Sequence, residues 1–429
     1  MSENIDSIGH SLPPEFKRAR HVAGAAGIAG TAACLLAWII VMIFANRWPQ
    51  GAASFYKAWL FAWLFFLGIS LGSLSAVMLH HLTGGQWGYF IRRPGEAAAN
   101  VLPLLFVLFV PICFGLGHIY PWADPHYHNE VVRHQHRYLN AGFFVGRYIA
   151  YFAVWIVMAW LLRTLSLRYD HTGDERTRRR LYAMSAAGIP IYFVTMSLAA
   201  IDWIMSMEPG WYSTVFGFIM CMGQAIAGIS TLIIVLLSTA HLSPIVERLR
   251  PRHLRDLATL LVTVVILWAY NAFSQLLIVW MGNIQGDIPW YVKRTVGPWR
   301  IMADMLILFG FGAPFVLLLQ RGVKQKPKAM SWLCAGLLLM RLIELFWTVA
   351  PGGADLYPKL HWFNVLMSAV ALIGIGGLWI AAFLMLLDGP SLLPAGDAVP
   401  IEVIASDEPI LQPRVIDHGS QSGAQPGIA

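Results

Sequence analysis

The chain has 429 residues, 57% of them hydrophobic and 12% charged, with a mean hydropathy of +0.60. Soluble domains carry about 25% charge, so this composition excludes a soluble multidomain protein and indicates an integral membrane protein. The net charge of +7 does not mark a nucleic-acid binder, because Lys and Arg crowd alternate connections between apolar runs and form no single patch.

In chain order, a polar segment of residues 1–21, with Lys17, Arg18 and Arg20, leads straight into a full-length apolar run without a small-residue cleavage site. Apolar runs then predict ten helices near residues 22–45, 57–80, 98–120, 142–163, 184–206, 212–240, 256–281, 299–320, 329–349 and 362–387. The runs are long and unbroken, whereas barrel strands alternate over about 10 residues. The fold class is therefore all-α integral membrane, with about ten transmembrane helices spanning residues 22–387. Residues 388–429 are rich in Pro, Gly and acids, among them Asp397, Glu402, Asp407, Glu408 and Asp417, and read as a disordered tail.

Arg163, Arg168, Arg176, Arg178, Arg179 and Arg180 lie between spans 4 and 5; Arg248, Arg250, Arg252 and Arg255 between spans 6 and 7; Arg321, Lys324, Lys326 and Lys328 between spans 8 and 9. The opposite connections carry far fewer cations. By the positive-inside rule both termini are cytoplasmic. Aromatic residues at the predicted edges, including Trp122, Trp203, Trp211, Trp290 and Trp299, fit interfacial anchoring. Cys34, Cys113, Cys221 and Cys334 fall in four different spans with no C-x-x-C. They read as small buried apolar residues, and the chain is expected to bind no haem, iron–sulfur cluster or zinc of its own.

A charge at the bilayer centre costs about 2.5–3.5 kcal/mol on insertion scales, so each one inside a span needs a reason. With the orientation above, Arg147, Asp202, Asn271, Gln275, Arg300, Asp304, Arg341 and Glu344 are expected to converge on one depth band in the outer half of the membrane. Arg300 and Asp304 are i,i+4, Arg341 and Glu344 i,i+3, and Asn271 and Gln275 i,i+4, so each pair shares a helix face. Two readings stand side by side: ion pairs that glue helices together, or a hydrated pocket and proton relay built from Asp202, Asp304, Arg341, Glu344, Gln275 and Arg147. At the inner face His80, His81 and Glu96 are candidates for the same chemistry. His118 and His361 fall at helix ends, where a histidine is ordinarily solvated, which argues against a b-type haem. The outer loop with His126, His128, His134 and His136 reads as a polar docking loop. Gly68, Gly72, Ser75 and Ala76 recur at helical spacing and suit close helix approach. No internal repeat and no pair of Gly/Pro-broken spans is apparent, which disfavours a secondary transporter.

The stretches "LGSLSAVMLHHLTGGQWG", "IRRPGEAAA", "RYLNAGFFVGRY", "AIDWIMSMEPGWYSTVFG" and "WAYNAFSQLLIVWMGNI" together resemble the ActF family. These are membrane subunits of alternative complex III, a bacterial quinol:cytochrome c oxidoreductase, within the NrfD-like (polysulfide reductase membrane subunit) superfamily. The resemblance covers roughly residues 22–387. It implies two NrfD-like four-helix bundles, about 57–206 and 212–349, between two flanking helices, in a bacterial inner membrane. It also implies partners: a multihaem cytochrome c subunit, an iron–sulfur/molybdoenzyme-like subunit and a sister NrfD-like membrane subunit. Haem and iron–sulfur centres would reside on those partners, and this chain would contribute proton conduction and admit quinol or quinone. Gln135 and Arg137 depart from the lysine and proline often found near "YLN" in that family. The alternatives are an NrfD-like quinol-oxidising anchor for another molybdoenzyme-type complex, or a secondary transporter.

Overall fold

The structure, a computed structural model, describes residues 13–43, 49–127, 130–208, 210–243, 245–283, 285–353 and 360–394. His128, Pro209 and most of the tail lie outside them. The main helices are α1 (Pro14–Ile43), α2 (Pro49–Thr83), α3 (Gln86–Ala99), α4 (Leu102–Phe114), α5 (Ala141–Thr172), α6 (Glu175–Trp203), α7 (Phe216–Thr239), α8 (Pro251–Gly282), α9 (Ile288–Thr295), α10 (Pro298–Met305), α11 (Ala313–Leu319), α12 (Pro327–Val349) and α13 (Trp362–Leu387). Among the described residues, ten helical segments are long and apolar enough to cross a membrane. The chain is an all-helical, multi-pass membrane protein.

The third span differs from the expected one. It begins at Gln86, not near residue 98, and runs to Phe114 as α3 followed by α4. The segment "RRPGE" is polar enough to read as a connection, yet Arg92, Arg93 and Glu96 are buried on α3. The helix breaks at Asn100–Val101 because Pro103, at the start of α4, has no N–H to give the preceding turn. Asn100 bridges the break, its Nδ2 donating to the carbonyls of Glu96 (2.8 Å) and Ala159 (3.2 Å). The eighth span also has an internal irregularity: α10 and α11 are joined by a π-helical stretch, Leu306–Gly312.

α2 is the centre of the molecule. It packs against α3, α4, α6, α7, α12 and α13, and a helix apolar all round belongs in such a position. The α2–α7 crossing depends on Gly72 and Gly228, whose backbones lie so close that a Cβ on either would overlap the other helix. Around α2, α5 packs on α4 and α6; around α7 lie α8 and α12, with the π-helical stretch against α12 and α11 against α8. α1 packs along α13, where a Cβ on Gly30 would fall 2.7 Å from the Gly374 backbone. Small residues at both crossings replace side-chain interdigitation by backbone proximity.

Both ends of the described chain meet at one end of the molecule, where Arg20 pairs with Asp388 at 3.3 Å. The Arg-rich connections lie at this end, called here the basic end. Trp122, Trp203, Trp211, Trp290 and Trp299 correct the anchoring expectation: all five are buried, between 0% and 7% exposed. Trp203 packs among Trp63, Phe109 and Trp155, and Trp211 stacks on Trp290 at 4.6 Å. Among the described residues, the exposed tryptophans are Trp160, Trp280, Trp332 and Trp362.

Candidate functional site

Among the described residues, the buried ion pairs fall into four groups, not one band. In the first, Arg147 of α5 reaches Asp202 of α6 with both branches of its fork, Nε to Oδ2 at 2.7 Å and Nη2 to Oδ1 at 2.8 Å. Tyr151 Oη donates to Asp202 Oδ2 at 2.9 Å. Arg147 also donates to the Tyr138 carbonyl at 2.8 Å and lies over the Tyr138 ring at 3.9 Å. A two-pronged guanidinium–carboxylate pair is the strongest geometry available to these groups, and Asp202 is 1% exposed.

In the second, on α12, Arg341 Nη1 lies 2.5 Å from Glu344 Oε2. Trp268 Nε1 of α8 donates to Glu344 Oε1 at 2.9 Å. Space for the guanidinium comes from Gly223 of α7, where a Cβ would collide with it. The π-helical stretch brings Gly310 against the Trp268 ring. One turn on, Thr348 Oγ1 donates to the Glu344 carbonyl at 2.7 Å.

The third group sits at the end opposite the basic end. Glu208 accepts from Lys293 Nζ at 2.5 Å and faces Arg294 Nη1 at 3.5 Å. Arg294 Nη2 donates to the Thr348 carbonyl at 2.7 Å, and Lys293 Nζ to the Gly353 carbonyl at 2.5 Å. Lys57 Nζ donates to the Gly352 carbonyl. Three cations thus satisfy carbonyls at and beyond the C-terminus of α12, where the helix dipole is negative. Burial pulls the Arg294 guanidinium down to about 10, still far enough above neutrality for it to stay charged. Burial also pushes the neighbouring Tyr291 phenol up to about 12.

The fourth group lies at the basic end. Arg93 Nη1 donates to Glu96 Oε2 at 2.6 Å and to Ser166 Oγ at 3.2 Å. Asp170 of α5 accepts from Arg92 at 3.2 Å and pairs with Arg93. Glu96 is 3% exposed. His80 and His81 stand nearby on the last turns of α2, His80 edge-on to Trp87 at 5.4 Å.

The expected site residues therefore separate. Arg147 with Asp202, and Arg341 with Glu344, form direct pairs. Gln275 is buried but serves the third group's neighbourhood, accepting from Ser213 Oγ at 2.9 Å. Asn271 Nδ2 donates to the Leu267 carbonyl of its own helix at 2.6 Å. Asp304 does not join the others: it pairs with Arg300 at 3.9 Å on the surface, with the two side chains 67% and 74% exposed. The helical spacing of that pair was right, but spacing does not say which face of a helix is buried. His118 stacks on Tyr56 at 5.6 Å and His361 is exposed. Cys34, Cys221 and Cys334 are buried. Among the described residues, no group of three or more His, Cys, Asp or Glu side chains is arranged to hold a metal ion.

Lys293, Arg294, Asp170 and Gln224 went unread in the sequence. Gln224 Oε1 accepts from Tyr192 Oη at 2.7 Å between α6 and α7. A signal for Lys293 and Arg294 exists: two adjacent cations in a connection that otherwise carries few. The repeat that hydropathy did not reveal is also present. "IDWIMSMEPG" (201–210) and "IELFWTVAPG" (343–352) share Ile, an acid, a hydroxyl residue four on, and Pro-Gly seven and eight residues after the acid. In both copies that hydroxyl donates to the acid's own carbonyl, Ser206 to Asp202 at 2.5 Å and Thr348 to Glu344 at 2.7 Å.

The fold and these groups define a ten-span helical membrane protein with buried ion pairs on several helices. No known protein-family profile matches the chain, and no curated protein is significantly similar to it.

Proposed function

We propose that the chain is a bacterial inner-membrane subunit of a quinol:cytochrome c oxidoreductase of the alternative complex III type, and that its own part in the reaction is proton conduction. In this reading α2–α6 and α7–α12 are the two NrfD-like four-helix bundles, α1 and α13 flank them, and the basic end faces the cytoplasm. Haem and iron–sulfur centres reside on a multihaem cytochrome c subunit and an iron–sulfur/molybdoenzyme-like subunit, beside a sister NrfD-like membrane subunit.

One observation carries the reading: a row of buried polar groups, linked in part through main-chain carbonyls, from the interior of α12 to the end opposite the basic end. It runs from Arg341 and Glu344 through Thr348 to Arg294, Glu208 and Lys293. Four residues along a helix rise about 6 Å, which places the Thr348 carbonyl, the acceptor of Arg294, one turn from Glu344. Buried ion pairs are weak sources of stability, and ionisable groups inside a membrane protein ordinarily mark ion or proton pathways. The Arg147–Asp202 pair supplies a second titratable carboxylate in the other bundle.

Purification of the tagged chain from its native membrane tests this assignment. The expected result is co-purification of haem-bearing and iron–sulfur subunits with quinol:cytochrome c activity. A chain isolated intact with no redox partner, or with solute transport activity when reconstituted alone, would refute it.

A further inference from the structure

A cavity of about 320 Å³ opens at the basic end, among the last turns of α2, the start of α3, the end of α5 and the start of α6. His80, His81, Tyr89, Arg92, Tyr169 and Arg178 line it, together with the Gly84–Gly85 turn. Its wall thus holds two guanidinium groups, two imidazoles and two phenols, and no carboxylate. The acids of this region do not line it: Asp170 and Glu96 bind Arg92 and Arg93, and Glu175 pairs with Arg178 at 2.7 Å from a half-exposed position. Arg248 approaches from outside the lining and donates to Tyr89 Oη at 2.8 Å.

The backbone adds to the same polarity. Gly84 and Gly85 have φ of +66° and +93°, a conformation that lets the chain reverse between α2 and α3 and that side chains resist. α3 consequently starts in the cavity wall, at Gln86, with no side chain capping its N-terminus. Fourteen residues of α3 direct the positive end of their dipole there.

The cavity's level is equally informative. It lies where the apolar spans give way to the Arg-rich connections, the depth of lipid headgroups. Toward the middle of the membrane, α5 and α6 expose Val157, Trp160, Ile191 and Val194, apolar surface for acyl chains. We propose that this cavity binds a phosphate group, carried by an anionic membrane phospholipid. Arg92 and Arg178 supply charge-assisted hydrogen bonds to the phosphate oxygens, and basic pockets between spans on the cytoplasmic side are suited to such headgroups. The inference stands independently of the redox assignment, because lipid binding is read out without any turnover.

Native mass spectrometry of the purified full chain, with whatever partners it retains, tests it in three arms: phosphatidylglycerol, phosphatidylcholine and inorganic phosphate. Arg178→Gln is expected to weaken phosphatidylglycerol binding by roughly five- to tenfold. His81→Phe, which keeps an aromatic ring but no N–H, should weaken it in the same direction. Arg321→Gln, an exposed basic-end position outside the cavity, should leave it within about twofold. Inorganic phosphate that occupies the wild type but not Arg178→Gln, while phosphatidylglycerol does not bind, would assign the site to a free anion and overturn the lipid source. Equal losses in Arg178→Gln and Arg321→Gln, or phosphatidylcholine held as tightly as phosphatidylglycerol, would overturn the site altogether.

Discussion

Asp202 illustrates how much the partner of a buried acid decides. Its carboxylate is held by both branches of Arg147 and by Tyr151. Removing one member of such a pair leaves an uncompensated charge, a loss of about 3–5 kcal/mol. Asp202→Asn is therefore expected to deplete the protein from the membrane, a consequence that the spacing of residues did not reveal. The double substitution Arg147→Gln/Asp202→Asn removes both charges and should recover a large part of that stability. Thermal denaturation in detergent, read as a double-mutant cycle, measures the coupling; strictly additive losses would contradict a direct pair. Tyr151→Phe removes one hydrogen bond to a charged group, worth about 1.5–3 kcal/mol at most, and should be milder than Asp202→Asn. At this scale the sequence identified Asp202, Arg147, Arg341 and Glu344 as charges that need a reason. It could not identify Arg147 as the partner of Asp202, because the two lie 55 residues apart and on different helices. Asp304 shows the converse, a charge at membrane level that simply faces outward.

Helices were legible where their hydropathy is uniform. α7 and α13 fall close to the expected spans because they are apolar throughout, whereas α2 begins at Pro49, not near residue 57. α3 was missed as a helix because its buried face carries Arg92, Arg93 and Glu96, which satisfy one another and Asp170 inside the protein. Hydropathy reads such residues as a connection, whereas burial depends on pairing. The tryptophans misled for a related reason. A position near the end of a span suggests an interfacial anchor, but Trp203, Trp211 and Trp290 fill the protein interior at that level. Glycine spacing gave better guidance, and Gly72 does sit at a close helix crossing. Gly72→Val should separate α2 from α7 at the centre of the molecule. It is expected to abolish membrane accumulation, since overpacking costs about 1–3 kcal/mol even where neighbours can shift, and here the neighbour is backbone. Gly146→Val, where no atom lies within 4 Å of a Cβ, is the control. Equal abundance of the two variants by immunoblot would show that the crossing does not hold the fold.

Across the whole molecule, the ten spans and the crowding of arginine at one end followed from composition alone. The order in which buried charges connect did not, since it depends on a turn after α12, on the short α9 and on Glu208 meeting in space. The two segments 201–210 and 343–352 place an acid at equivalent positions, so the last helix of each proposed bundle carries a buried carboxylate with an arginine partner. The second is followed one turn on by Thr348, whose main-chain carbonyl accepts from Arg294, while the first segment itself contains Glu208 of the same far-end group. The central claim, that this line moves protons for a quinol-oxidising complex, is tested most directly at Glu344. Quinol:cytochrome c turnover and coupled proton movement are measured per assembled complex for Glu344→Gln and Glu344→Asp. Glu344→Asp is expected to retain coupled turnover. Glu344→Gln is expected to lose at least about tenfold, at or below the lower end of what a positioned proton-transfer group contributes. If Glu344→Gln fails to assemble beside the charged Arg341, Thr348→Val and Glu208→Gln are read in the same way further along the line. Wild-type turnover and wild-type proton movement per assembled complex in the variants that lack a titratable carboxylate would contradict the account.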